Sequence, residues 1–503
     1  MLRKKRVEFG DFQTPDALAL QVSQLVKQIF PVPSIVVEPT CGLGSFLTAS
    51  LRQFGEYPQY YGFDIHEEYI TTVRSALKEH KTISIERVNF FQKNWMTFFE
   101  EREDKKILVI GNPPWVTNTE LSTLNSGNLP VKSNFQQLSG LAAKTGKANF
   151  DIAEWMLITL LDQLQHSNAC VAMLCKTATA RKVLKHVWTN ETNVHNSSLH
   201  LIDAKKYFNV AVHACLFITH IKPGRRAKDA TVYADLSFKR KISRFGMSGN
   251  ELIANLDDYF QFHNIEGESP YTWRSGIKHD AAKVMELTRQ NGQYVNGFGK
   301  VVDIEDDYLY PLLKSSDLGN GRIIPRKFVI LTQQRVGDNT SIIKIHAPKT
   351  WKYLEEYAEI LDRRKSIIYK KRPRFAIFGV GEYSFSLWKV AISGLYKNIR
   401  FASIGPVSDK PIMLDDTCYF IPCDSEEEAT FISRLLNSEI CRRFLRSLVF
   451  FDAKRPINVD ILKRINLKKL AEHYHLQDQV AQYLPSAQVG STQQPFLPLK
   501  YGV

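Results

Sequence analysis

Short apolar segments alternate with longer amphipathic segments along the first 220 residues of the chain. The short segments are rich in β-branched residues, and the long ones repeat apolar positions at spacings of three and four. This alternation is typical of parallel strands connected by helices that cover a sheet. We predict strands at 34–38, 60–64, 84–88, 107–110, 170–175, 199–203 and 214–221, and helices at 16–30, 66–80 and 151–166.

The regular alternation stops soon after a basic stretch at 222–228 that contains proline and glycine. Such a stretch is typical of a connection between domains. We therefore place a domain boundary between residues 235 and 236. The chain beyond it is richer in aromatic and basic residues in irregular order, and we expect a second domain of mixed α+β structure over 236–483. The last segment, 484–503, is rich in Gln, Pro and Ser and is expected to form a loose tail.

Composition agrees with a globular protein of two or three domains, because the chain has 503 residues and 44% of them are hydrophobic. Lys and Arg number 66 against 52 Asp and Glu, and the net charge of +14 favours a polyanionic partner such as nucleic acid. The seven cysteines are scattered and lack zinc spacing, which predicts a reduced protein without a structural metal. No apolar run is long enough to cross a bilayer, so we expect a cytoplasmic protein without a membrane partner.

Acidic residues and glycines mark the ends of the first two predicted strands. Glu38 ends the first strand, and a tight turn through Gly42 and Gly44 follows it; Asp64 ends the second strand. Such a turn allows close approach of the backbone to a ligand, and a carboxylate about twenty residues later suits the hydroxyls of a ribose. The pattern predicts a nucleotide-type pocket. The alternative is an ordinary strand-to-helix turn.

The fourth predicted strand ends in Gly111-Asn112-Pro113-Pro114-Trp115. Two prolines withhold two N–H groups, so this loop presents acceptors rather than donors. The Asn112 side-chain oxygen and the Pro113 carbonyl can accept hydrogen bonds from an exocyclic amine and stabilise the positive charge that develops on its nitrogen during methyl transfer. Trp115 can supply a face on which an extruded base stacks. The alternative is a rigid turn with a tryptophan in the core.

The order of these motifs resembles the gamma-class DNA N6-adenine methyltransferases of restriction–modification systems, of the Asn-Pro-Pro-Trp type. The motifs are Phe12-Gln13-Thr14-Pro15, Glu38 to Gly44, Asp64 and Asn112 to Trp115, followed by a basic carboxyl-terminal region. The resemblance implies an α/β fold: a Rossmann-like S-adenosylmethionine-dependent methyltransferase sheet with a carboxyl-terminal DNA-recognition domain. It also implies double-stranded DNA as substrate, base flipping, and a separately encoded cognate restriction endonuclease as a possible partner.

The resemblance assigns roles to individual residues. Thr14 is expected near the methionine end of S-adenosylmethionine, and Asp64 at its ribose. Asn89 and Phe90 stand where the family has an acidic residue and an aromatic that contact the cofactor adenine. Phe208 is expected to hold the flipped base, with Tyr207 as the rival. The pocket walls are assigned to Glu38, Cys41, Gly42 and Gly44, and the catalytic loop to Asn112, Pro113, Pro114 and Trp115.

Other functions are compatible with the same motifs. Methyltransferases that act on RNA or on protein glutamine also use an Asn-Pro-Pro-aromatic loop, and a DNA-binding subunit that is active only within a larger complex is a further alternative. Two basic segments of the second half, 363–374 and the pair Lys454 and Arg455, are candidates for contact with DNA.

Overall fold

The computed structural model describes residues 12–116 and 151–483. The chain divides into two compact units, one ending at Asp257 and the other beginning at Asp258. The predicted tail, 484–503, lies outside the described residues. Among the described residues, no helix has the length and apolar character needed to cross a membrane. All seven cysteines are buried free thiols.

The first unit is built on one sheet of ten strands in the order β10-β9-β8-β6-β7-β5-β4-β1-β2-β3. Strands β1 to β5 run parallel, and β7 is antiparallel to both of its neighbours. The strands are β1 (Ile35–Glu38), β2 (Gln59–Asp64), β3 (Ile83–Arg87), β4 (Lys106–Gly111), β5 (Asn168–Lys176), β6 (Val194–Ile202), β7 (Ala214–Ile221), β8 (Asp229–Tyr233), β9 (Lys241–Ser248) and β10 (Glu251–Ile253).

The helices of this unit are α1 (Asp16–Ile29), α2 (Ser45–Phe54), α3 (Glu67–Ala76), α4 (Trp95–Glu100), α5 (Ile152–Gln163), α6 (Thr177–Thr189) and α7 (Ala204–Phe208). Side chains cap three of them in the way the sequence favours: Asn94 caps α4, Asp151 caps α5 and Asp203 caps α7. A buried apolar cluster joins α1 to residues of β1, β4, β5 and β7. This arrangement confirms the predicted alternation of strands and helices and brings the carboxyl ends of the parallel strands to one edge.

The first unit extends further than the predicted boundary at 235. Strand β8 pairs with β6 in parallel, β9 pairs antiparallel with β8, and β10 pairs with β9. Phe245 of β9 is 1% exposed and packs against Trp188, so the segment after 235 belongs to the core of this unit.

The second unit is mixed α+β. One sheet has four strands, in the order β11-β20-β17-β18, and the other has six, in the order β14-β13-β12-β16-β15-β19. Its strands are β11 (Arg274–Ser275), β12 (Glu286–Gln290), β13 (Gln293–Val295), β14 (Val301–Val302), β15 (Leu309–Leu313), β16 (Lys327–Ile330), β17 (Trp388–Ser393), β18 (Ala402–Ile404), β19 (Met413–Leu414) and β20 (Cys418–Cys423). The remaining helices, the first of which spans the boundary, are α8 (Leu256–Phe262), α9 (Ala282–Met285), α10 (Ser315–Gly319), α11 (Ile343–His346), α12 (Pro348–Glu356), α13 (Ala358–Asp362), α14 (Glu426–Leu436), α15 (Glu439–Leu448), α16 (Val459–Leu462), α17 (Leu467–His473) and α18 (Gln477–Tyr483).

Candidate active site

A cavity opens at the carboxyl edge of β1, β2 and β4. Of the residues predicted for the site, the cavity is lined by Thr14, Glu38, Cys41, Gly42, Asp64, Phe90, Asn112 and Pro114. Residues of the lining that the sequence analysis did not assign include Gln13, Thr40, Ser45, His66, Tyr69 and Met156.

Asp64 is held by the backbone on both sides of its carboxylate. Its Oδ2 accepts a hydrogen bond from the Gly42 N–H at 2.8 Å, and its Oδ1 accepts one from the His66 N–H at 2.9 Å. A carboxylate has about four acceptor positions, so these two bonds alone do not saturate it. The two backbone bonds fix the orientation of this acceptor before a ligand arrives.

Glu38 lies at the base of the cavity and is 2% exposed. Its Oε2 accepts a hydrogen bond from the Leu47 N–H in the first turn of α2, at 3.0 Å. Burial raises the pKa of the Glu38 carboxyl well above its usual range; the Leu47 hydrogen bond opposes this shift, and the nearby charge of Asp64 adds to it. The buried Glu38 carboxyl is therefore harder to ionise than an exposed glutamate.

The glycines of the first turn serve different purposes. Gly42 lines the cavity at φ +52°, and a Cβ added there would lie 2.8 Å from the Gln13 Oε1. Gly44 has φ +77°, and a Cβ added there would lie 3.0 Å from the Val73 Cγ1. Gly44 is not part of the cavity lining. Its place in the turn is explained by the left-handed backbone and by close packing of α2 on α3.

Asn112 follows β4 with its side chain oriented by two acceptors. Its Nδ2 donates to the Phe12 carbonyl at 3.1 Å and to the Thr14 Oγ1 at 3.3 Å. Because a carbonyl can only accept, the amide nitrogen must face it and the Oδ1 must point the other way. The Asn112 Oδ1 is buried and accepts no hydrogen bond from any residue that the structure describes. A buried unpaired acceptor is rare and costly in a folded protein, and it points to a ligand donor.

Three aromatic rings pack beside Asn112. Trp115 lies 5.1 Å from Phe208 and 6.2 Å from Phe12 between ring centroids, and the Phe12 to Phe208 distance is also 6.2 Å. Trp115 and Phe208 are each 5% exposed, and the Trp115 Nε1 donates to the Leu174 carbonyl at 3.4 Å. The structure thus places Phe208 beside the Asn112 loop, and its contact with a flipped base stays a prediction. The Trp115 ring, however, is part of the buried cluster rather than an open stacking face.

The chain is 43% identical over 476 residues, 94% of its own length and 98% of the relative, to the type II methyltransferase M.NspV of Nostoc sp. (strain ATCC 29411 / PCC 7524). The chain belongs to the type II methyltransferases. Its fold is also similar to that of the type IIL restriction–modification enzyme MmeI, solved in complex with DNA, with a TM-score of 0.51 and 14% identity over 97% of this chain and 78% of that one. No protein-family profile matches the chain.

In this methyltransferase, Asn89 and Phe90 of the loop after β3 are placed differently. Phe90 lines the cavity and packs against Trp95, with 5.0 Å between ring centroids. Asn89 does not line it, and its Oδ1 accepts a hydrogen bond from the Phe91 N–H at 3.0 Å in a local turn. Tyr207, the rival of Phe208, extends its hydroxyl toward the Gln21 Oε1 on α1 at 3.5 Å.

Two residues at the site of this methyltransferase, Gln13 and Lys176, were given no role on the basis of the sequence. The Gln13 Oε1 accepts from the Leu43 N–H at 3.2 Å, although Gln13 stands beside Thr14 in the quoted motif. Lys176 donates to the Trp115 carbonyl at 3.1 Å and to the Asp151 Oδ2 at 2.7 Å, and so connects the Asn112 loop to the start of α5. Lys176 ends the apolar strand β5. A single lysine at the end of such a strand is the sequence feature that could have indicated a place in the site.

The basic segments of the second unit are partly engaged in internal contacts. Arg364 donates to the carbonyls of His279 and Ala376, at 3.1 and 2.7 Å, and Arg374 pairs with Asp362 at 2.8 Å. In the other segment, Arg455 pairs with Asp416 at 3.2 Å, while Lys454 is exposed. Contact of these segments with DNA stays a prediction, carried mainly by the exposed Lys365, Lys370, Lys371 and Lys454.

Proposed function

We propose that this methyltransferase transfers the methyl group of S-adenosylmethionine to the exocyclic N6 amine of an adenine within a short sequence of double-stranded DNA. It would act as the modification enzyme of a restriction–modification system, with a separately encoded endonuclease as partner. The type II methyltransferase relative, the fold shared with a restriction–modification enzyme and the net charge of +14 support DNA as the substrate. The observation that carries the proposal is the buried, unpaired Oδ1 of Asn112.

The chemistry of the acceptors matches an exocyclic amine. Such an amine carries two hydrogens. Its nitrogen would take the methyl group from the sulfonium, S-adenosylhomocysteine would leave, and the nitrogen would then lose one hydrogen as a proton to water. The Asn112 Oδ1 would accept a hydrogen bond from one of these hydrogens, and the Pro113 carbonyl would accept one from the other. Both acceptors would thereby stabilise the positive charge that develops on nitrogen. The hydrogen bonds of the Asn112 Nδ2 to Phe12 and Thr14 hold the acceptor in place before the base arrives.

The cavity residues fit an adenosine-containing cation. When bound, S-adenosylmethionine supplies an activated methyl group on a sulfonium. Asp64 would accept the ribose hydroxyls, Glu38 would face the positively charged part of the ligand, and Phe90 would pack against the cofactor adenine. Thr14, which accepts from Asn112, would link the methionine end of this cavity to the target amine.

Extrusion of the base requires a change at the aromatic cluster. Trp115 and Phe208 cover each other with only 5% of each side chain exposed. A base that stacks on either ring therefore has to part the two. Because Phe12 contacts both rings and its carbonyl binds Asn112, movement of Phe12 would couple base entry to the catalytic loop.

Asn112→Ala tests the proposal. We expect the turnover number to fall by about 10²- to 10³-fold, because an acceptor that acts on developing charge is lost, while cofactor affinity stays within a few-fold. Methyl incorporation from labelled cofactor and calorimetry of cofactor binding measure the two effects. Asn89→Ala is the matched control, since Asn89 bonds only locally to Phe91. Turnover within a few-fold of the unmodified protein would exclude the assigned mechanism.

The alternatives are separated by the same assay with other acceptors. Unmethylated DNA, ribosomal and transfer RNA, and a protein extract are offered in parallel, and the methylated nucleoside is identified by mass spectrometry. We expect N6-methyladenine in DNA. Methylated RNA, methylated glutamine or a methylated cytosine would each replace the proposed substrate.

A further inference from the structure

A basic hairpin connects β8 to β9 on the same side of the sheet as Asn112. Strand β5 is parallel to β4, and β7 is antiparallel to both β5 and β6. Strand β6 therefore runs in the same direction as β4, and so does β8, which is parallel to β6. Residues 234–240, here called the basic hairpin, therefore leave the sheet at the carboxyl edge. Leu236 of the hairpin packs against the apolar cluster that contains Trp115 and Phe208.

The tip of the basic hairpin is held in an unusual backbone conformation. Phe238 has φ +62°, a left-handed conformation that a bulky residue rarely adopts, and it is 42% exposed. Its ring lies 4.6 Å from Tyr233 and 5.5 Å from His200, with interplanar angles of 21° and 19°. Asp235 accepts from the Ser237 N–H at 2.8 Å. Strained residues that their surroundings hold in place are concentrated at functional sites.

The exposed side chains beside Phe238 are cationic. Lys239 and Arg240 are exposed, and no carboxylate of the described residues lies within ion-pair distance of either. The next residue, Lys241, pairs with Asp257 at 3.7 Å. Lys205 and Lys206 are exposed on α7, whose Tyr207 and Phe208 join the same apolar cluster as Leu236. The pKa of the exposed Asp235 is lowered by its hydrogen bonds with Ser237 and also by the charge of Arg240. Exposed cations on an ordered backbone suit a polyanion, because the backbone needs little further ordering on binding.

We propose that the basic hairpin, together with Lys205 and Lys206, binds the phosphate backbone of the duplex beside the target base. This inference rests on the proposed function, because it takes duplex DNA as the substrate. Lys239 and Arg240 neutralise phosphates. The ring stack of Phe238, Tyr233 and His200 fixes the hairpin backbone that carries these two residues. The first unit then binds DNA independently of base sequence, in addition to any sequence-specific contacts that the second unit makes.

The test compares two double variants of the full chain. Lys239→Gln/Arg240→Gln removes the two hairpin cations, and Lys78→Gln/Lys81→Gln removes two exposed cations from the loop that precedes β3, at the opposite edge of the sheet. The probe is a 30-base-pair duplex of random sequence, bound at a series of salt concentrations. Methyl incorporation into unmodified plasmid DNA gives the KM for DNA, and calorimetry gives cofactor affinity.

We expect the hairpin variant to reduce the slope of log affinity against log salt by about 1 to 2 and to raise the KM for DNA several-fold, with unchanged cofactor affinity. The control variant keeps the slope of the unmodified protein. A hairpin variant with the unmodified slope, or an equal loss in the control, would overturn the role of the hairpin. If the unmodified protein itself neither binds the duplex nor methylates plasmid DNA, the proposed function fails, and the inference fails with it.

Discussion

At the scale of single residues, the two carboxyl groups of the cavity make different contributions. Asp64 accepts two backbone hydrogen bonds, whereas Glu38 accepts one and is buried, which raises its pKa. A cation bound beside Glu38 favours its ionised form and lowers that pKa. A cationic ligand in the cavity would therefore favour loss of the proton from Glu38.

We predict that binding of S-adenosylmethionine releases up to one proton and that its affinity rises with pH through the ligand-free pKa of Glu38. The sign follows from a carboxyl that is protonated before binding and ionised after it. Calorimetry in buffers of different ionisation enthalpy measures the proton count. Glu38→Gln should abolish the release, whereas Asp64→Asn should weaken binding and keep it. Equal proton release in the protein and in Glu38→Gln would contradict the assignment.

Trp115 carries a second residue-scale prediction, in which stability and base contact are measured separately. Because its ring is 5% exposed and packs on Phe12 and Phe208, Trp115→Ala should cost about 3–5 kcal/mol of folding stability. Trp115→Phe keeps an aromatic ring and should cost less. Thermal unfolding measures the loss, and emission of 2-aminopurine at the target position reports base contact in the Phe variant. An unchanged melting temperature in the Ala variant would contradict the buried position of the ring.

At the scale of elements, the sequence predicts what local patterns determine. Strands β4, β5 and β7 are runs of apolar residues between helices, and each was found close to its predicted position. Strands β8 to β10 were missed, because β8 and β10 are short and the longer β9 carries exposed, charged positions that do not alternate with period two. What makes β9 a strand is its pairing with β8, and pairing between segments is a tertiary contact that a local pattern does not contain.

In the candidate site, too, the sequence predicts what depends on strand ends and does not predict contacts between distant segments. The approach of Glu38, Asp64 and Asn112 follows from the parallel sheet, since all three stand at strand ends. The contacts of Gln13 with Leu43 and of Lys176 with Trp115 join side chains to backbone groups 30 and 61 residues away. No spacing rule predicts such contacts. The burial of Trp115 was only the alternative interpretation of the sequence for a related reason, because it depends on Phe12 and Phe208 from two other parts of the chain.

At the scale of the whole molecule, the boundary at Asp257 defines a unit that can be tested by truncation. We predict that a fragment of residues 1–257 folds and binds the cofactor with nearly full affinity, because its sheet is complete and its cavity is lined by residues of this unit alone. It should lose site-specific DNA methylation, since recognition is assigned to the second unit. Calorimetry and mapping of methylated sites in plasmid DNA measure the two outcomes.

A fragment of residues 1–235 is the matched control for the boundary. It removes β9 and β10, leaves the edge of β8 unpaired and takes away Phe245, which covers Trp188 in the core. Loss of a buried phenylalanine costs about 3–5 kcal/mol, and an unpaired strand edge promotes aggregation. The shorter fragment should therefore melt at a lower temperature than 1–257 or aggregate. Site-specific methylation by the 1–257 fragment would show that sequence recognition lies in the first unit. Equal stability of the two fragments would instead support a domain boundary at residue 235.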